Sequence, residues 1–229
     1  MDVETANQNR SSICQIGIAR FSDGKMVDGW QSLVNPAVEF SKINIRIHGI
    51  TPDTVARAPL WSEVYSKVES LLLGAMVASH TDFDLTALSN ACSQNGIPLV
   101  KYKKWIDTCR LARGAWPDLP NHKLVTLADH FGIEHKAHDA LEDARAAGEV
   151  LALAMKERSV AIEDFAELPG EFITKFPPRK RIRKAVAPRT LRASPAERVV
   201  QVKSVEIPRS AVVPQESIVS ALLHLIGIK

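Results

Sequence analysis

The chain is poor in everything that would tie it to a membrane or to an oxidising compartment. It has three cysteines, Cys14, Cys92 and Cys109, widely spaced and without a CxxC pair or metal-ligand spacing. That excludes a disulfide framework and a thiolate zinc site, and leaves reduced, mostly buried thiols in a cytoplasmic protein as the expectation. The longest apolar stretch, Leu71 to Ala78, is interrupted by Gly74 and is far too short to span a bilayer, so no membrane association is expected. The second residue is acidic and no apolar segment follows it, so no signal peptide is expected. There is no internal repeat, which excludes a solenoid or propeller.

What is present fits one domain of about 150 residues with an appendage: 229 residues, of which 45% are hydrophobic. The net charge of +3 hides an asymmetry. Residues 1–158 sum to −2, residues 159–229 to +5, and the stretch 175–209 alone to +9. A mildly acidic body with a basic arm suits a site that must attract a polyanion, and a solvated linker accounts for the same charge.

Ile13 to Phe21 reads as a strand, Ser22-Asp23-Gly24-Lys25 as a hairpin turn, and Met26 to Val34 as the returning strand. Ile43 to Ile50 is expected to be extended or irregular, with Pro52 opening a helix. Trp61 to Leu73 has apolar residues at helical spacing. Ala75 to Ser79 reads as a short buried strand, followed by helices over Phe83 to Asn95, Thr108 to Trp116, Lys123 to Phe131 and Ala140 to Lys156. A hairpin first and βα units afterwards imply an α/β fold, a mixed sheet with helices on its faces. From 159 to 229 we expect a basic, proline-rich tail, largely irregular over 170–212, with a short terminal helix over 217–228.

Three segments carry the chemistry. Asp2 and Glu4 stand two apart and share one face of a strand. His80-Thr81-Asp82-Phe83-Asp84 ends a strand and enters a helix. His138 and Asp143 are five apart, about 140° round a helix, so they converge only if His138 lies in the loop before a helix that Asp139 caps, with Glu142 completing a capping box. Four carboxylates gathered in a cleft repel one another unless cations neutralise them. All-oxygen ligation then selects Mg²⁺ or Mn²⁺. Two such cations about 3.5–4 Å apart suit in-line attack of water on a phosphodiester, and a histidine of ordinary pKa about 6.5 suits a general base. Read alone, each segment is more simply an ordinary solvated acidic surface.

In this order and separation, the segments closely resemble the motifs of the DEDDh 3′–5′ exonucleases, the family of the polymerase III epsilon subunit and ribonuclease T. Ile47-His48-Gly49-Ile50-Thr51, Asp107 through Arg113 and Leu124 through Ala128 resemble it too. The resemblance covers about residues 1–157. It implies a ribonuclease H-like sheet over 1–158, metal ligands at Asp2, Glu4, Asp84 and Asp143, and a general base at His138. It also implies a 3′-terminal nucleotide close to Thr5, Ala6, His48, Thr51 and His80. The implied reaction is release of nucleoside 5′-monophosphates from the 3′ ends of single-stranded or duplex nucleic acid, DNA favoured, with two divalent cations as cofactors and a DNA polymerase subunit as a partner.

Two departures stand out. Thr81 follows the histidine of the second motif where the family usually has asparagine. The family has a whole central strand ahead of the first aspartate where this chain offers only Met1, so the first strand is expected to be truncated. An upstream natural start, or a weakly anchored first segment, is the expectation. The competing function is a catalytically impaired nucleic-acid-binding or polymerase-associated adaptor working through the basic tail. An RNA-trimming nuclease is a third reading.

Overall fold

An aspartate–glycine turn organises the first part of the chain. Asp23 and Gly24 both lie at positive φ, 50° and 73°, the conformation whose twist suits a two-residue hairpin. Around it β2 (Ile13–Ser22) and β3 (Lys25–Leu33) pair antiparallel. On the other edge of β2, β1 (Asp2–Thr5) also pairs antiparallel, with Val3 opposite Ile16 and Glu4 opposite Gln15. The computed structural model describes residues 1–178. A second sheet is parallel, built from β4 (Met76–Ser79), β5 (Lys104–Asp107) and β6 (Phe172–Ile173). The two sheets meet where the Met1 nitrogen donates to the Ala78 carbonyl at 2.6 Å. β1 is thus four residues long, and Met1 just ahead of it makes the contact with β4.

Helices cover both sheets, in the α/β arrangement the sequence implies. The main core packs Val3, Ile13, Ile16 and Ile18 against α3 (Trp61–Leu72) and α4 (Phe83–Gln94). The spacing read for α3 buries Trp61, Val64, Tyr65, Val68 and Leu72. The three cysteines are buried and unpaired, and burial pushes each thiol up, Cys14 to about 12, so they stay protonated. Among the described residues no helix is long and apolar enough to cross a membrane.

Two expectations are corrected. The segment expected to be irregular over 43–50 is α1 (Lys42–His48). Ile43, Ile45 and Ile47 are poor helix formers, but both ends are capped. The Ser41 hydroxyl accepts from the Ile43 N–H at 3.2 Å, and Gly49, at φ 75°, donates back to Ile45. The second concerns residues 159–178, expected as the start of an irregular tail. They fold back as α8 (Ile162–Ala166) and β6, with Phe165 fully buried and Ile173 paired with Ile106. The Lys104 ammonium holds this return by donating to the carbonyls of Leu168 and Gly170. Two aromatics and an isoleucine, Phe165, Phe172 and Ile173, provide enough apolar surface to dock a short polar segment. The expected basic cluster beyond 178 and the helix over 217–228 lie outside the described residues.

The longest helix, α7 (Ala140–Arg158), lies across β2 and β3. Its first turn sits on Gly17: a Cβ there would come within 2.2 Å of the Ala140 backbone. Beside it the Gln15 side chain accepts from the Ala140 N–H at 3.2 Å. The close approach fixes where α7 begins, and so where the third acidic segment stands. Gly17→Ala is expected to push α7 off the hairpin and cost about 1–3 kcal/mol, read as a lowered urea midpoint at unchanged slope.

Candidate functional site

Each carboxylate of the expected set is delivered by a different local device. Asp2 and Glu4 flank the buried Val3 on β1 and project to one side of the strand. Asp84 lies in the first turn of α4, 3% exposed, where its Oδ1 accepts from the Val3 N–H at 3.0 Å. Asp139 caps α7, accepting from the Glu142 N–H at 3.4 Å. Asp143, one turn in, receives the His138 N–H on Oδ2 at 2.8 Å. The expected return bond from Glu142 is not made, because that side chain turns to Arg145 at 2.8 Å. His138 itself lies at φ 66° in the loop before the helix. Its half-exposed ring has Nδ1 3.8 Å from Glu4 Oε1. The ligand atoms of Glu4, His138 and Asp143 all lie within 4.8 Å of one another.

Electrostatics binds Asp2 and Asp84 into the same cluster. Burial raises Asp2 well above the ordinary carboxyl range, and Asp84, Asp143 and Glu4 raise it further. Burial, then Asp143 and Asp84, push Glu4 up to about 8. Asp84 is pushed up to about 6, chiefly by burial, even though the Val3 N–H favours its charged form. Asp143 moves the same way, again mainly through burial. Crowded, desolvated carboxylates that hold protons near neutrality are what a cation site looks like without its counter-charge. The donors are carboxylate oxygens with one imidazole at the rim, and this set fits hard divalent cations.

The residues expected beside a terminal nucleotide behave differently. Thr5 and Ala6 follow Glu4 but are 5% and 0% exposed. The Thr5 carbonyl accepts from Asn44 Nδ2 at 2.8 Å and from His48 Nε2 at 3.1 Å, while His48 Nδ1 accepts from the Ile50 N–H. His48 thus locks α1 to the end of β1 as a neutral ring, its pKa lowered by burial. Thr51 caps α2 (Pro52–Val55), accepting from the Thr54 N–H. His80 is engaged on both nitrogens, Nδ1 with the Thr108 hydroxyl at 3.0 Å and Nε2 with the His122 carbonyl at 2.8 Å. It ties β4 to α5 (Thr108–Ala115). His48, Thr51 and His80 are thus each hydrogen-bonded within the protein, Thr51 at its surface.

Other contributors carry little sequence signal. Arg145 joins Glu142 and Glu149 on α7 and donates to the Glu134 carbonyl, holding the loop that bears His138. Its i,i+3 and i,i+4 acidic partners are legible as a helix pattern; the reach to Glu134 is not. His135, three residues before His138, approaches Asp143 Oδ1 at 3.3 Å. Thr81, the departure in the second motif, lies at φ 127°, an uncommon conformation for a β-branched residue. Its carbonyl accepts from the Ser79 hydroxyl, which in turn accepts from Trp105 Nε1, and its own hydroxyl accepts from the Phe83 N–H.

A family model for exonucleases of the RNase_T type matches residues 1–151. A DNA polymerase III PolC-type chain of Caldanaerobacter subterraneus subsp. tengcongensis is 30% identical over 172 residues, 73% of this chain and 12% of the relative. The PolC-type chain of Oceanobacillus iheyensis is 32% identical over 158 residues, 66% of this chain and 11% of the relative. This chain thus spans about an eighth of the length of these polymerases or less. Among solved structures, Exonuclease X in complex with 5′ overhanging duplex DNA aligns at TM-score 0.60 and 23% identity, over 74% of this chain and 97% of that one. The nuclease domain of 3′hExo, a DEDDh family member bound to rAMP, aligns at TM-score 0.57 and 21% identity, over 68% and 90%. At these identities the two structures speak for the shared ribonuclease H-like fold.

Two outcomes are expected. Glu4 and Asp84 bind protons more tightly folded than unfolded, so the cation-free protein loses stability as pH rises from about 4 through 6 and 8. Melting in EDTA should fall from pH 5 to pH 8, and millimolar Mn²⁺ should recover more at pH 8 than at pH 5. Separately, Thr81→Ala removes the hydroxyl that accepts from the Phe83 N–H and leaves the φ of 127° in place. It should destabilise by about 1 kcal/mol, seen as a melting temperature about 2–4 °C lower by calorimetry.

Proposed function

The chain belongs to the RNase_T exonuclease family, and on that premise we propose that it is a metal-dependent 3′–5′ exonuclease of the DEDDh type acting on DNA. The observation that carries the reading is the convergence of Glu4, Asp143 and His138 within 4.8 Å, with Asp2 and Asp84 in the same electrostatic cluster. Asp2, Glu4, Asp84 and Asp143 would hold two divalent cations, Mg²⁺ or Mn²⁺. Bound there, the cations would neutralise the carboxylates and supply Lewis acidity to the scissile phosphate.

The protein's own residues account for the rest. Asp84 and Asp143 each spend one lone pair on a backbone N–H, from Val3 and His138 respectively, which fixes the carboxylate planes and leaves lone pairs free. The His138 ring is half exposed and free of any strong partner, so it reaches solvent and takes a proton from the attacking water. The water oxygen bonds to phosphorus and the bond to the 3′ oxygen of the penultimate nucleotide breaks. That oxygen takes up a proton, and a nucleoside 5′-monophosphate leaves. The DNA preference rests on likeness to PolC-type polymerases, and the same likeness supports a DNA polymerase subunit as partner. The net charge of +9 over 175–209 would strengthen binding to the phosphate backbone without reading sequence.

The test is digestion of 3′-labelled single-stranded DNA with Mg²⁺, beside a matched RNA. Labelled mononucleotide should appear first and EDTA should stop it. His138→Ala should slow it by about 10²–10⁴-fold, and Asp84→Ala should remove it. Absence of mononucleotide, or release indifferent to Asp84→Ala, would sink the nuclease reading. Binding that survives EDTA but is lost on deleting 175–209 would favour an adaptor.

A further inference from the structure

Asp143 has a nitrogen beside each of its carboxylate oxygens. Its Oδ2 takes the His138 N–H at 2.8 Å. Beside its other oxygen stands an imidazole: His135 Nε2 lies 3.3 Å from Oδ1. The His135 side chain is 6% exposed, and its Nε2 is sealed from solvent without a hydrogen-bond partner. A buried ring nitrogen left unpaired is uncommon, because burial forfeits its bond to water. Here the available acceptor is already beside it and slightly out of line.

The backbone that carries this ring is fixed independently. Arg145, anchored by Glu142 and Glu149 on α7, donates to the carbonyl of Glu134, the residue before His135. From the other side Asp143 holds His138, three residues later. The loop over 134–138 is thus latched at both ends, and His135 is aimed at the carboxylate between the latches.

We propose that His135 is a positioning residue of this site, whose Nε2–H closes onto Oδ1 when Asp143 turns to grip a cation. A carboxylate oxygen offers two lone pairs. With His138 N–H on one oxygen and His135 on the other, each oxygen keeps one lone pair for the cation, and the plane of the group is set. Outer donors of this kind orient ligands and tune affinity. The inference rests on the reading of Asp143 as a cation ligand. It adds a residue that neither the three acidic motifs nor the catalytic histidine includes.

The experiment uses the full chain and Mn²⁺ titration by calorimetry, with His135→Phe and His135→Gln. The first keeps an aromatic ring without a donor; the second restores an N–H at similar reach. His135→Phe should weaken Mn²⁺ binding by about 10–100-fold and His135→Gln should recover most of it. In digestion of single-stranded DNA, kcat should fall with KM for the oligomer little changed. Should His135→Phe fail to fold, ring NMR of the unaltered protein decides: adding Mg²⁺ should move the His135 Nε2–H proton downfield and slow its exchange. Wild-type Mn²⁺ affinity in His135→Phe, or a ring proton indifferent to Mg²⁺, overturns the proposal alone. An unaltered protein that binds no Mn²⁺, or binds it equally well as Asp143→Asn, overturns the cation reading and this inference with it.

Discussion

Four carboxylates that repel one another have to be gathered and kept in place, and in this protein main-chain N–H groups do much of the holding. Val3 donates to Asp84 at 3.0 Å and His138 donates to Asp143 at 2.8 Å. Both bonds reach across elements, one from β1 to α4 and the other from a loop to the helix it enters. Repulsion and desolvation still lift every one of these carboxyls above its ordinary range. The fold carries that cost through its surroundings. The hairpin core packs β1 from behind, and α7 is seated on Gly17 so closely that a methyl group has no room. The site is therefore a property of how three elements dock rather than of any one of them.

The same logic explains the histidines. Four of them, His48, His80, His122 and His135, are drawn into the scaffold rather than into solvent. His48 and His80 each present one nitrogen to a main-chain carbonyl and the other to a donor, so each is held as one neutral tautomer. His122 meets the Trp116 carbonyl at 2.9 Å. His138 differs in that its main chain is tethered while its ring is left at the rim. Residue type alone does not separate these two uses of imidazole; the partners do.

How much was legible in the sequence follows from which forces are local. The Asp23-Gly24 turn, the apolar spacing of α3 and the Asp139 cap each declare themselves within a few residues, and each appears in the structure. Strand alternation and a helix start place each acidic segment locally, but only their resemblance to the exonuclease motifs made them legible as a set. The isoleucine-rich stretch over 43–50 misled, since its β-branched residues argue against the helix that Ser41 and Gly49 enforce. The return of 159–178 was hidden because its partners, Lys104 and Ile106, lie more than fifty residues away. For the same reason the partners of His80 were hidden: Thr108 and His122 cannot be paired with it from spacing alone. The residues beyond 178 enter the reading through their charge alone.

The division of labour within His138 has a wider consequence. Asp143 is steadied by this residue's amide, which any amino acid but proline supplies, whereas the proposed reaction hands the proton to its ring. Under that proposal, exchanging the ring would slow hydrolysis and spare the hold on Asp143. One codon would then separate a protein that erodes a strand from a cap that shields its end, and descendants of this fold would have an easy route from scissors to guard.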